Sequence, residues 1–126
     1  MKGSRWVAVG AISGALTVGL GAFGAHALES RVSHEDLALW ETAVQYQGLH
    51  ALALVLVGLW RGQGGKGCVA GWGFLVGSAI FSGTLYAMAL GGPRWLGAIT
   101  PIGGTALIVG WIALAISAWR RRDPER

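Results

Sequence analysis

Charged residues are scarce in this sequence, and cysteine is almost absent. Only 13% of the 126 residues are charged, about half the ~25% of an average soluble domain, which is too little to solvate a compact soluble surface. The hydrophobic share of 53% excludes most disorder, because disordered chains combine low hydrophobicity with high net charge. The single cysteine, Cys68, excludes an intrachain disulfide framework and a cysteine-rich zinc site, and the 22 glycines follow no Gly-X-Y period, which excludes collagen. This composition indicates a membrane protein.

Four windows of the sequence contain no charged residue, and each has roughly the 20 residues needed to cross a ~30 Å hydrocarbon core. The windows are 6–28, 42–60, 67–93 and 95–119. A soluble helical domain is the alternative, but soluble buried helices rarely run this long without a charge. We therefore predict an all-α, polytopic membrane protein, a single domain over residues 1–126. The predicted transmembrane helices span about 6–28, 42–60, 68–90 and 100–119.

The basic residues divide unequally between the two ends of such a bundle. The end with both termini and the loop at 61–66, here the basic end, has eight of the ten Lys and Arg residues, and the other has Arg31 and Arg94. The positive-inside rule then predicts a cell (inner or plasma) membrane protein with both termini cytoplasmic. The opposite, acidic end collects Glu29, Glu35, Asp36 and Glu41. The lipid bilayer is an expected partner, with the basic tail on anionic headgroups, whereas nucleic acid is not, since no basic patch is interleaved with aromatics.

Two motifs in helix 1 imitate unrelated functions. Lys2 and Arg5, then an apolar run, then an A-x-A site at 25–27 resemble a signal peptide, but the run exceeds the usual ~7–15 residues of an h-region. We therefore expect helix 1 to be retained. The G-x-G-x-x-G pattern at 19–24 lies in an apolar helix with no preceding strand, which argues against a dinucleotide site.

Small residues recur at helical spacing along the predicted spans. In lipid, where packing drives association, such rows let helix backbones approach closely. Helix 1 has a G-x-x-x-G pair and a second row formed by Ala11, Ala15 and Gly19. We predict packing contacts at eight glycines: Gly10, Gly14, Gly19, Gly73, Gly77, Gly83, Gly103 and Gly104.

The starts of helices 2 and 4 carry capping signals. Ser33 and Asp36 resemble a capping box, and a helix from there to Trp60 would be ~40 Å long, more than the hydrocarbon core requires. We expect this helix either to protrude at the acidic end or to bend near Glu41 into a short interfacial helix before helix 2. Thr100 suits an N-cap and the proline after it a first helical position, so helix 4 is expected to begin there.

Neutral polar side chains are the only groups inside the spans that carry chemistry. Counting ~1.5 Å of rise per residue places them in the outer half of the bundle, toward the acidic end. One hypothesis is an outward-opening polar pocket formed by His26, Gln45, Tyr46, His50, Ser82, Tyr86 and Thr100. The other is hydrogen bonding between helices, worth only ~0.6 kcal/mol per contact on average. We favour the second for Gln47, Ser82, Thr84 and Thr105, and both stay open for His26 and His50.

The sequence offers no convincing catalytic or metal site. His26 and His50 differ in estimated height by ~15 Å, whereas a shared metal needs ring nitrogens within ~2 Å of the ion. No Asp or Glu lies inside a span, which argues against triad chemistry and against a proton pump. We therefore expect no enzyme, no cofactor and no metal.

Four motifs together carry a resemblance to a known family. They are GAFGAH at 21–26, WETA at 40–43 with QYQ at 45–47 and HALAL at 50–54, FSGTLY at 81–86, and ITPIGG at 99–104 with GW at 110–111. In this order, over about residues 6 to 119, the chain resembles the domain of unknown function 423 family, which includes eukaryotic transmembrane protein 256. The resemblance implies a four-helix membrane protein with no established activity, and it carries over no catalytic residue. It directs attention to His26, Gln45, Tyr46, His50, Ser82, Tyr86, Thr100 and Pro101.

Three functional hypotheses follow. The first is a non-enzymatic membrane protein that assembles through its glycine-rich helix faces, as a homo-oligomer or as an accessory subunit of a membrane complex. The alternative is a small transporter or channel for a neutral solute that uses the polar pocket, although no inverted repeat is visible. The third is a redox or cofactor-binding subunit that uses His26 or His50.

Overall fold

The computed structural model describes residues 1–121, and within them it has four long α-helices and no β-strand. The helices are α1 (Gly3–Phe23), α2 (His34–Gly62), α3 (Cys68–Ala89) and α4 (Thr100–Arg120). A π-helical turn at Gly24–Leu28 continues α1, and a 3-10 turn at Arg94–Ala98 precedes α4. All four helices are long and apolar enough to cross a membrane, which confirms the prediction of an all-α protein with four spans.

Each helix packs against the next one in the chain, and the alternating directions bring the start of α1 and the end of α4 to the basic end. Trp6 in α1 meets Trp72 in α3 there, with ring centroids 5.4 Å apart, and Trp60 in α2 donates a hydrogen bond to Ser117 Oγ in α4 (3.1 Å). Helices α2 and α3 each bury eight residues, whereas α1 buries two and α4 three. Thus α2 and α3 form the centre, flanked by α1 and α4. Four charges used to predict orientation lie outside the described residues: Arg122, Asp123, Glu125 and Arg126.

Glycines bring α1 and α2 into backbone contact. A Cβ atom at Gly10 would lie 2.7 Å from the carbonyl oxygen of Ala51 and 2.8 Å from the backbone nitrogen of Val55. A Cβ atom at Gly58 would lie 2.7 Å from the backbone nitrogen of Val7. Because the opposing atoms are backbone, no side-chain rotation relieves these contacts, and the two helices approach this closely only with glycine at both positions.

The α3–α4 interface is built in the same way. A Cβ atom at Gly73 would lie 3.0 Å from the carbonyl oxygen of Ala106, and one at Gly77 would lie 2.9 Å from the carbonyl oxygen of Gly103. At Gly103 itself it would lie 2.5 Å from the backbone nitrogen of Phe81. Both helix pairs therefore depend on bare backbone at the crossing, as expected when van der Waals packing drives association in lipid.

The other predicted glycines have looser surroundings. A Cβ atom at Gly14 or Gly104 would make only ordinary contacts, at 4.0 and 3.6 Å, and at Gly19 or Gly83 it would meet no heavy atom of the described residues within 4 Å. The structure therefore directs part of each small-residue row away from the bundle. Close contacts also form at several glycines outside the predicted set, among them Gly58 and Gly110.

Helix α2 is continuous over 29 residues, so the expectation of a separate interfacial helix with a bend near Glu41 is wrong. Ser33 Oγ accepts a hydrogen bond from the backbone N–H of Asp36 (3.1 Å), which caps the helix as predicted. The first turns continue into the rest of the helix, and Trp40 and Ala43, 3% and 0% exposed, pack into the bundle on either side of Glu41. The short extra helix lies instead before α4, at Arg94–Ala98.

Candidate functional site

His50 lies at the centre of the bundle and has both ring nitrogens engaged. Its side chain is 2% exposed, and Nε2 lies 3.0 Å from the indole Nε1 of Trp111 in α4. An indole nitrogen only donates, so Nε2 accepts and the ring proton is on Nδ1. That proton is donated to the carbonyl oxygen of Tyr46 (2.7 Å). His50 is therefore a neutral imidazole that joins α2 to α4.

A second set of hydrogen bonds crosses three helices. The hydroxyl of Tyr86 in α3 donates to Oε1 of Gln47 in α2 (2.6 Å). The amide Nε2 of Gln47 donates to the carbonyl oxygen of Ser13 in α1 (3.3 Å), which also accepts from the hydroxyl of Thr17 (2.8 Å). Gln47 thus links α2 to α3 through its side-chain oxygen and to α1 through its side-chain nitrogen.

Trp40 joins α2 to the end of α1. Its indole N–H donates to the carbonyl oxygen of Leu20 (2.9 Å), and its ring lies against Tyr86 with centroids 4.6 Å apart. Gly24, the first residue of the π-helical turn, makes room for the indole, because a Cβ atom there would lie 2.6 Å from Trp40 Cδ1. The GAFGAH motif therefore ends α1 against this tryptophan, and π-helical turns are frequent where a helix departs from ideal packing.

Two further hydrogen bonds join α3 to its neighbours. The buried hydroxyl of Ser82 donates to the carbonyl oxygen of Ala43 (2.8 Å), which joins α3 to α2. The hydroxyls of Thr84 and Thr100 lie 2.6 Å apart and join α3 to α4. Thr100 also donates to the carbonyl oxygen of Leu96 (3.2 Å). It is the first residue of α4, and its side chain does not cap that helix.

The structure divides the seven predicted pocket residues among different surroundings. Four of them, His50, Ser82, Tyr86 and Thr100, hydrogen-bond between helices. The other three are His26 and Gln45, which are exposed, and Tyr46, which is 40% exposed. His26 lies in the π-helical turn at the acidic end and makes no contact with His50 among the described residues. The four hydrogen-bonded side chains join helices to one another, and the seven residues do not line one common space.

Three residues that shape these contacts were missed as site candidates: Gln47, Trp40 and Trp111. Trp111 is the tryptophan farthest from either end of a predicted span, and its mid-membrane indole N–H requires an acceptor. From the sequence, this requirement predicts a hydrogen bond from Trp111 to an acceptor inside the bundle, which the structure shows to be His50. Gln47 was assigned only a hydrogen-bonding role, and the structure gives it a bridging one.

Metal ligation has little support in this geometry. Within residues 1–121, no group of three or more His, Cys, Asp or Glu side chains is placed to hold an ion. Both nitrogens of His50 are engaged, so a metal at this ring would have to displace Trp111 or the Tyr46 carbonyl. Cys68 is exposed at the start of α3, near the basic end.

Comparisons with known proteins agree with this architecture. The profile of the family described as "Protein of unknown function (DUF423)" matches residues 20–104. A UPF0382 membrane protein of Staphylococcus haemolyticus is 44% identical over 91% of this chain and 95% of its own length, and YwdK, a UPF0382 membrane protein of Bacillus subtilis, is 44% identical over 90% and 94%. These names state a membrane protein and no enzymatic activity. No solved structure matches the chain. The chain belongs to the DUF423 family of membrane proteins of unknown function.

Proposed function

We propose that this protein is a non-enzymatic membrane protein that assembles in the plane of the membrane with a second copy of itself, through the face of α1 that points away from α2. Only two of the 21 residues of α1 are buried, Trp6 and Gly10, so most of the helix is free to meet a partner. The observation that carries the proposal is a row of small exposed residues at helical spacing on this face: Ala8, Ala11, Ala15, Gly19 and Ala22.

Small residues on an exposed transmembrane face favour contact with another helix. Lipid tails are as apolar as leucine, so a helix gains little by presenting alanine and glycine to them, whereas a second helix gains close backbone packing. Within this chain, the same residue types already bring α1 onto α2 at Gly10 and α3 onto α4 at Gly77. At Gly19 a Cβ atom would meet no heavy atom of residues 1–121 within 4 Å, so this glycine has no packing role inside the described chain.

Solute transport has less support than assembly. A transport pathway needs polar groups that are free to meet a solute, and three of the residues predicted to line the polar pocket are instead engaged with protein partners. His50, Ser82 and Tyr86 hydrogen-bond to Trp111, Ala43 and Gln47. The same engagement of His50 argues against a role in holding a redox cofactor.

Disulfide crosslinking in native membranes tests the assembly. In a Cys68→Ala background, Ala15→Cys on the small face of α1 is expected to give a crosslinked dimer under mild oxidation. Ile112→Cys on α4, where the native side chain is 54% exposed, is the matched control and is expected to give only collisional background. Adding Gly19→Leu to Ala15→Cys is expected to remove the dimer, because the larger side chain holds the helices apart while it has room in the single chain.

Equal crosslinking of the two cysteines would contradict the proposal, as would a crosslink from Ala15→Cys to a different protein in place of a second copy. A strictly monomeric protein in lipid nanodiscs would also contradict it. Circular dichroism of the Gly19→Leu variant shows whether the helices still form, so that loss of the dimer is distinguished from loss of the fold.

We also propose that the protein lies in the cell membrane with its basic end in the cytoplasm. Within residues 1–121, the basic end has six Lys and Arg residues, whereas the acidic end has two, Arg31 and Arg94. The six are Lys2, Arg5, Arg61, Lys66, Arg120 and Arg121. This asymmetry is the one that sets orientation during insertion.

Labelling with a membrane-impermeant maleimide tests the orientation. Cys68, exposed at the basic end, is expected to react only after intact cells are permeabilised. Ser30→Cys in the Cys68→Ala background is at the acidic end, exposed, and is expected to react in intact cells. The opposite pattern would show that the termini face outward.

A further inference from the structure

A cavity of about 780 Å³ opens at the basic end, between the start of α3 and the end of α4. Four cationic side chains line it: Arg61, Lys66, Arg120 and Arg121. Within residues 1–121, every carboxylate side chain belongs to the acidic end, so no described carboxylate pairs with these cations. The side chain of Arg61 is partly buried and its Nε atom has no hydrogen-bond partner among the described residues. The cavity is therefore lined by positive charge, and the Nε–H group of Arg61 lacks an acceptor among the described residues.

The start of α3 adds further hydrogen-bond donors to the cavity. Gly67 precedes α3 and supplies no side-chain cap, and the first residues of the helix, Cys68 to Ala70, line the cavity. The first N–H groups of a helix have no partner within the helix, and together with the helix dipole they favour an anion. Arg121 is held in place over the ring of Trp60, with its Cζ atom 4.9 Å from the centroid, and it also donates to the carbonyl oxygen of Gln63. Arg121 therefore already has partners in the protein. Arginine pairs well with phosphate oxygens, so Arg61 and Arg120, which line the same cavity, are suited to bind one.

An apolar groove continues from this cavity along the membrane-spanning surface. It runs between α3 and α4, with a volume of about 630 Å³, and Cys68 and Val69 line both spaces. Its walls include Trp72, Ile102 and Val109. From Ile116 in the cavity to Ile102 in the groove, the rise along α4 is ~21 Å, which exceeds half of a ~30 Å hydrocarbon core. The cavity and groove together are therefore long enough for an acyl chain of one leaflet.

We propose that the cavity and groove together bind an anionic phospholipid from the leaflet at the basic end. The phosphate lies among Arg61, Lys66 and Arg120 at the start of α3, and one acyl chain lies in the groove between α3 and α4. A basic pocket joined to an apolar groove matches a phospholipid better than free phosphate, because a soluble anion would leave the groove without an occupant. None of the residues that line the cavity or the groove belongs to α1, so the site stands or fails independently of the proposed assembly.

Lipid binding to the purified full-length protein tests the site. In a non-ionic detergent, phosphatidylglycerol is expected to raise the unfolding temperature in a saturable way, whereas phosphatidylcholine and inorganic phosphate at the same concentrations are expected not to. The double variant Lys66→Gln/Arg120→Gln, in which both native side chains are exposed, is expected to lose affinity for phosphatidylglycerol by about tenfold or more.

Lys2→Gln/Arg5→Gln is the matched control. Both native residues are exposed at the basic end, and the change in net charge is the same, but neither residue lines the cavity. It is expected to keep nearly the affinity of the native protein. An equal loss in both double variants would show a diffuse attraction to the basic surface and overturn the proposal.

Two further outcomes would also overturn it. Protection by inorganic phosphate as strong as that by phosphatidylglycerol would identify the ligand as a soluble anion. Replacement of Ala106, which lines the groove, by tryptophan is expected to weaken phosphatidylglycerol binding by filling the space for the acyl chain. Undiminished binding in a folded Ala106→Trp variant would show that the groove takes no part.

Discussion

Replacing Gly77 by leucine is expected to force α3 and α4 apart and to lower the free energy of unfolding by about 3 kcal/mol or more, the upper range for overpacking. Even a single Cβ atom at Gly77 would lie 2.9 Å from the carbonyl oxygen of Gly103 and 2.8 Å from Leu107 Cδ2. The Gly103 oxygen is backbone and cannot rotate away, so the whole helix must move. Thermal unfolding followed by circular dichroism, in detergent micelles and in nanodiscs, measures the loss.

Gly83→Leu, on the same helix, controls for the new side chain itself. A Cβ atom at Gly83 would meet no heavy atom of residues 1–121 within 4 Å, and leucine there is expected to face lipid at little cost. Removing a glycine from a helix interior also adds helix propensity. A similar loss of stability in the two variants would contradict the inferred α3–α4 crossing, because it would show that position within the interface does not matter.

The four spans were predictable because a charge in lipid costs so much that charge-free windows alone mark them. Which face of each helix turns inward was not predictable in the same way. In water, the apolar face of a helix turns to the core, but in a membrane both the protein-facing and the lipid-facing sides are apolar. Spacing therefore singled out Gly10 and Gly19 in α1, and Gly77 and Gly83 in α3, without distinguishing the inner glycine of each pair from the outer one.

The polar contacts show the same limit. At ~1.5 Å per residue, His50 lies ~15 Å from Trp60 and Trp111 lies ~12 Å from Trp119, so the two are at similar heights. Height fixes one coordinate, and the hydrogen bond between them also requires that α2 and α4 turn these faces toward each other across α3. The cap at Ser33 was predictable because it depends on neighbours in sequence. The continuity of α2 past Glu41 was not, because Trp40 there packs against α1, a contact between distant parts of the chain.

Trp111→Phe is expected to lower the free energy of unfolding by about 2 kcal/mol, and His50→Leu by a similar amount. Each change removes one partner of the only indole–imidazole hydrogen bond among the described residues (3.0 Å). Trp111→Phe leaves the buried Nε2 of His50 without a donor, which costs about 1–3 kcal/mol, and His50→Leu leaves the indole N–H of Trp111 without an acceptor in the middle of the span. Trp95→Phe is the matched control, because Trp95 is 64% exposed and its replacement is expected to change stability little.

A double-mutant cycle separates this hydrogen bond from packing. The indole of Trp111 also lies against Phe74, with centroids 4.7 Å apart, so part of the loss in Trp111→Phe comes from ring contact. The double variant His50→Leu/Trp111→Phe leaves neither partner unsatisfied and is expected to lose about 1 kcal/mol less than the sum of the single losses, within the range of interhelical hydrogen bonds in membranes. Strict additivity would contradict the contact.

The protonation of the His50 ring provides a direct check on its role. Because Trp111 only donates, the structure requires the proton on Nδ1 and a lone pair on Nε2, and nitrogen chemical shifts of histidine-labelled protein distinguish this form from the other tautomer. We expect the Nδ1–H form in the native protein. A proton on Nε2 would mean that Trp111 does not donate to this ring, and the free lone pair of the ring would then be on Nδ1. The Nδ1–H form instead makes His50 a neutral hydrogen-bonded link between α2 and α4.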